Sequence, residues 1–167
     1  IAIGFNHFSN YIKLIKPARD KTNTFKVLSY NLRLFNYFEN KNGNTSEKKI
    51  LEFLKVQTPD ILCMQEVFVS GSPALKEAAV KTALGGKYDS HLKVLGSGKN
   101  RYYGIATFSK FPIIRKGEII HTSSSSLSIF TDVLIGKDTF RIYNNHLQSF
   151  RLRRRERSFI EEMTEPE

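Results

Sequence analysis

With 167 residues and a single cysteine, the chain is long enough for one domain with a substantial core and has no second thiol to staple it. Hydrophobic residues make up 40% and charged residues 25%, the proportions of an ordinary globular domain. The net charge of +10 and a pI near 9.7 favour polyanions such as nucleic acid, phosphorylated small molecules or an anionic membrane surface, although surplus lysine that only keeps a protein in solution gives the same balance.

Residues 1–24 read as an N-terminal segment or linker. The chain opens on Ile1 and not on methionine, so the expectation is a piece cut from a longer protein. The apolar start is too short and too polar to span a bilayer. Two readings stay open: the tail of a removed membrane anchor, with Lys13, Lys16, Arg19 and Lys21 at the interface, or a surface-packed helix.

Residues 25–167 carry the folded domain. Residues 25–32 read as a strand and the Asn-rich residues 36–46 as a loop. Ile50, Leu51, Phe53 and Leu54 give the apolar face of a helix, with Asn44 or Ser46 as its N-cap and Thr58-Pro59 as its stop. Residues 60–67 form an apolar run that fits a strand buried on both faces, and Cys63 within it reads as a buried free thiol. Ser72-Pro73 opens a second helix and Gly85-Gly86 closes it. Strands are then expected over residues 88–94, 103–109, 113–120, 126–135 and 139–147, with Gly136-Lys137-Asp138 as a hairpin turn between the last two. A final helix is expected from about Phe150. The order predicts a layered α/β protein with much antiparallel pairing, and no GxGxxG or GxxxxGK[ST] run supports a nucleotide loop.

Three strands end in polar residues that packing does not require. They are Ser29-Tyr30-Asn31-Leu32-Arg33, Gln65-Glu66 after the apolar run at 61–64, and Asn144-Asn145-His146 after residues 140–143. Taken singly, each has an ordinary explanation: a glutamate paired with a lysine, a satisfied histidine, an asparagine in a turn. Together, each at the end of a different strand, they point to a site. A carboxylate beside a buried strand is costly unless paired or metal-bound, and one carboxylate among amide and imidazole groups suits Mg²⁺ better than zinc.

Four segments resemble, in order, those of the endonuclease/exonuclease/phosphatase superfamily: FKVLSYNLR at 25–33, PDILCMQEV at 59–67, YGIATFSKFPI at 103–113 and NNHLQS at 144–149. The resemblance implies an α/β fold, the N-terminal portion of a four-layer α/β/β/α sandwich of deoxyribonuclease type, and a Mg²⁺- or Mn²⁺-dependent phosphoesterase. Glu66 would hold the metal, with Asn31 beside it. His146 would contact phosphate, with Ser149, Arg33 and Tyr102 as further phosphate contacts. The substrate class stays open between nucleic acid and a phospholipid or inositol phosphate, and a membrane tether stays open with it. The superfamily completes its site with a D-x-N segment and an Asp-His pair, and neither occurs in these 167 residues. The expectation is therefore a bacterial member cut short before its C-terminal half, inactive as this piece alone. The rival readings are a polyanion-binding module built on Arg151, Arg153, Arg154, Arg155 and Arg157, or a degenerate member kept for protein interaction. Local glutamates offset the arginine run and favour a solvated helix face.

Overall fold

A computed structural model describes residues 24–36, 45–96, 99–122, 124 and 126–148. Residues 1–23, most of the Asn-rich loop, Ser149, the helix expected from Phe150 and the arginine run lie outside the described residues. Strands β1 (Val27–Asn31), β2 (Ile61–Ser70), β3 (Asp89–Gly96) and β4 (Arg101–Ser109) form sheet I in the order β1-β2-β4-β3. Strands β5 (Ile113–Ile119), β6 (Leu127–Ile135) and β7 (Asp138–His146) form sheet II in chain order. Only β1 and β2 run parallel; the other pairs are antiparallel.

Helices α1 (Thr45–Gln57) and α2 (Pro73–Ala83) cover one face of sheet I. Ser46 lies inside α1 and does not cap it. Ser72 is the N-cap of α2 with Pro73 behind it, where the missing N–H of proline costs nothing. Gly85 and Gly86 take the left-handed conformation that ends the helix, and the Gly86 amide donates to the Lys81 carbonyl. Leu54, Val80 and Leu84 from the helical layer pack on Leu62, Met64, Val67, Val69, Ala106 and Phe108. Ile61 and Cys63 face the other way, meeting Val133, Ile113 and Ile142 of sheet II. Burial on both faces explains the unbroken apolar run of β2 and holds the Cys63 thiol up at about 11, too high for a reactive thiolate. Helix, sheet and sheet are three of the four layers of a deoxyribonuclease-like sandwich, the expected fold class. Among the described residues no helix is long and apolar enough to cross a membrane.

Two features depart from the sequence expectation. Strand β2 does not stop after Glu66 but runs on to Ser70, with a bulge in the middle. Met64 pairs with Ala106 and Val67 with Gly104, so Gln65 and Glu66 together face Ile105 alone. The extra residue restores the alternation, which is why Leu62 and Met64 before it share the helix side with Val67 and Val69 after it. Gly104 is required opposite this bulge, because a Cβ there would lie 1.9 Å from the Lys93 carbonyl oxygen of β3. The second departure is the β6–β7 hairpin, whose turn is Gly136-Lys137 alone. Gly136 supplies the positive φ, and Asp138 is the first residue of β7.

The Pro-Asp pair that opens β2 has a structural task at the end of the sheet away from the bulge. Asp60 accepts from the Lys26 amide (2.7 Å) and the Lys110 ammonium (2.9 Å), tying the starts of β1 and β2 to the end of β4. Burial alone would push this carboxyl up, but the Lys26 amide and Lys110 together outweigh it and hold it below its ordinary value. Its contribution is present above the unfolded carboxylate pKa and is lost as pH falls through the folded one. Asp60→Asn is therefore expected to cost about 1–2 kcal/mol at pH 7, allowing for partial exposure, and the gap to wild type should narrow towards pH 3. Urea midpoints at the two pH values check this; an equal gap at both would show that the ion pair is not its source.

Candidate active site

Asn31, Glu66 and His146 come together although they lie on three strands and in both sheets. Asn31 is the last residue of β1 and pairs with Gln65 in the parallel ladder. Just beyond it the Leu32 amide donates to the Gln65 carbonyl (2.9 Å), and the Leu32 side chain is buried under the helices. The chain then turns through Arg33 and Leu34, both at positive φ, into a 3₁₀ turn over Arg33–Asn36. The Asn31 side chain stabilises that turn, its Oδ1 accepting from the Arg33 amide (2.9 Å). This fixes its other end: Nδ2 donates to Glu66 Oε1 at 2.9 Å.

Glu66 reaches this position through the bulge. Its φ of 53° is left-handed, a conformation that non-glycine residues adopt at a cost and that concentrates where a side chain must be re-aimed. In a regular strand the residue after Gln65 would point towards the helical layer. Here the carboxylate stands about a quarter exposed, and His146 Nε2 of β7 lies 3.4 Å from Oε1. Oε2 makes no hydrogen bond among the described residues.

The remaining expected contacts are distributed differently. Arg33 lies two residues beyond Asn31 and is exposed at the head of the 3₁₀ turn. Tyr102 of β4 pairs with Val69 of β2 and packs against the core beneath the helices, with its ring beside Gly96. Its pairing partner Val69 lies three residues beyond Glu66 in β2. Ser149 lies outside the described residues.

Two polar strand-end residues, Gln65 and Asn144, stand behind the site and pair with each other. Asn144 is 1% exposed on the inner face of β7, and its Oδ1 accepts from Gln65 Nε2 at 2.8 Å. Its Nδ2 donates to the carbonyls of Met64 (3.2 Å) and Ala106 (2.9 Å). The apolar strands around it were the available signal: an amide amid them has to be paired.

Among the described residues no three His, Cys, Asp or Glu side chains cluster as a closed metal cage would need. One carboxylate with a free oxygen, flanked by an amide and an imidazole, instead fits a hard cation that keeps most of its waters.

A profile of the endonuclease/exonuclease/phosphatase family matches residues 28–163. No curated protein matches the chain. Solved structures share its fold. D. rerio TDP2 complexed with single strand DNA product is 16% identical at a TM-score of 0.56, covering 83% of this chain and 52% of that one. An endonuclease/exonuclease/phosphatase family protein from Leptotrichia buccalis is 14% identical at 0.57, covering 86% and 64%. Sphingomyelinase C from Streptomyces griseocarneus is 19% identical at 0.54, covering 77% and 51%. The chain thus spans between 51% and 64% of the length of these structures. Members of this family are hydrolases that act on phosphoester bonds and generally use divalent metal ions. By its profile match and its two-sheet architecture, the chain belongs to the endonuclease/exonuclease/phosphatase family.

Proposed function

We propose that the protein of which this chain is part hydrolyses a phosphate ester with Mg²⁺ or Mn²⁺, and that Asn31, Glu66 and His146 form the metal and phosphate side of its site. One observation carries this reading: the Glu66 carboxylate stands at a strained bulge with Asn31 on one of its oxygens and His146 3.4 Å away. A purely structural glutamate would not need a left-handed backbone, nor an amide and an imidazole drawn from two other strands.

Glu66 would hold the cation through the oxygen that Asn31 leaves free, while Asn31 keeps the carboxylate from rotating. When bound, the cation supplies positive charge where the phosphoryl oxygens gain negative charge. His146 would hold the phosphate by a hydrogen bond from its ring, fixing the ester in line for attack by water. Arg33, beside Asn31, would neutralise a further phosphate charge. Ser149, three residues beyond His146, would add a second contact. The base that activates water is assigned to none of the described residues.

The net charge of +10 suits a polyanionic substrate, and the neighbours include one complexed with a single strand DNA product and one named as a sphingomyelinase. The test is a panel of nucleic acid, phospholipid, inositol phosphate and generic phosphoesters given to the full-length protein with Mg²⁺, Mn²⁺ or a chelator. Chelator-sensitive release of product from one class supports the reading. Turnover that survives the chelator, or none on any class, rejects it. A membrane tether ahead of residue 24 would bring lipid within reach, and a full-length protein recovered only in the soluble fraction would exclude it.

A further inference from the structure

The bulge that aims Glu66 opens a gap in the sheet, and the group that fills it comes from the opposite sheet. A bulge leaves backbone polar groups of its strand without ladder partners, and buried groups of that kind have to be satisfied. Met64 and Ala106 are the last regular pair before the bulge, and the Asn144 amide donates to both of their carbonyls. It lies 3.4 Å from the Thr107 hydroxyl as well. Gln65, one of the two bulged residues, occupies its Oδ1, and Gln65 Nε2 reaches back to the Ser29 hydroxyl of β1 at 3.3 Å. One buried amide therefore contacts β2 and β4 directly and β1 through Gln65.

The position of Asn144 along β7 gives this contact its consequence. Asn144 and His146 are two residues apart on one strand, so their side chains leave the same face. Whatever fixes Asn144 against the bulge fixes where His146 stands over Glu66. We infer that Asn144, with Gln65 as its partner, is the positioning residue that sets the separation of His146 and Glu66 across the two sheets. The effect on catalysis rests on the phosphoesterase reading of the site; the effect on the geometry does not.

The test is Asn144→Leu in the full-length protein, a change close in volume that removes both donation and acceptance. The variant is expected to unfold cooperatively, to lose about 100-fold in kcat and to keep KM within about threefold. Its Mn²⁺ affinity, read by electron paramagnetic resonance without substrate, is expected to fall about tenfold, because the bulge that aims Glu66 is no longer held. In a His146→Ala background the same change should lower kcat by less than about threefold, since the group it places is already gone. Should Asn144→Leu not fold, Gln65→Met removes one arm of the brace, and about a tenfold loss in kcat is expected. A folded variant with kcat and Mn²⁺ affinity both within threefold of wild type overturns the proposal. So does a full 100-fold loss added to that of His146→Ala. A wild type that binds Mn²⁺ and cleaves no phosphoester rejects the hydrolase reading alone; the Mn²⁺ measurement then decides the positioning role, and unaltered affinity in the variant overturns it.

Discussion

Glu66→Gln in the full-length protein is expected to lower metal-dependent phosphoester hydrolysis by about 10³-fold while leaving thermal unfolding almost unchanged. The two halves of that expectation have separate causes. Glutamine keeps the volume, and its amide oxygen still accepts from Asn31 Nδ2, so the hydrogen bond that orients the side chain survives. The left-handed φ of 53° strains glutamine no more than glutamate. What disappears is the negative charge, and a neutral amide is a poor ligand for a hard divalent cation. The loss should therefore appear first as a rightward shift of the Mg²⁺ titration, with activity partly regained at high metal. Glu66→Ala removes both ligand and orienting contact and should show no such recovery. An unaltered rate for either variant at limiting Mg²⁺ would sink the assignment of Glu66.

That variant also tests how far the site is legible in the sequence. Asn31, Glu66 and His146 could be singled out because each is a polar residue following an apolar strand. The sheets do bring these three together from positions up to 115 residues apart (31 to 146). Local logic failed where a partner lay far away in sequence. Glu66 read as the end of a strand, because an ionised residue after an apolar run resembles a terminus. The bulge shows only in the register with β4, which no local pattern contains. Gln65 and Asn144 are legible only as polar residues at strand ends, since the hydrogen bond that pairs them joins residues 79 apart. Tyr102 was named through the family resemblance, and no local pattern shows that its partly buried ring packs against the core below the helices. The strands and both helices were found within a few residues, because alternation, Ser72-Pro73 and the paired glycines are local signals. The same contrast explains Asp60. Its place in the motif suggested family membership, and only the contacts to Lys26 and Lys110 show that it ties strand ends together far from the bulge.

His146→Ala should lower kcat by about 10²–10³-fold, the usual loss when one donor to a developing oxyanion is removed, and leave the Mg²⁺ titration midpoint in place. The argument turns on which sheet supplies which function. Glu66 and Asn31 belong to sheet I and are tied to each other, so the cation's ligand keeps its orientation without the imidazole. His146 belongs to sheet II and touches that pair only at 3.4 Å, which is a neighbour's distance more than an anchor's. Removing it empties the phosphate side and spares the metal side. His146→Asn should recover part of the loss, since an amide nitrogen can still donate, although from a shorter reach. Inorganic phosphate, as a competitive inhibitor, should weaken with His146→Ala and stay unchanged with Glu66→Gln at saturating metal. If instead His146→Ala shifted the Mg²⁺ midpoint as far as Glu66→Gln does, the histidine would belong to the metal. The division of labour between the two sheets would then be wrong.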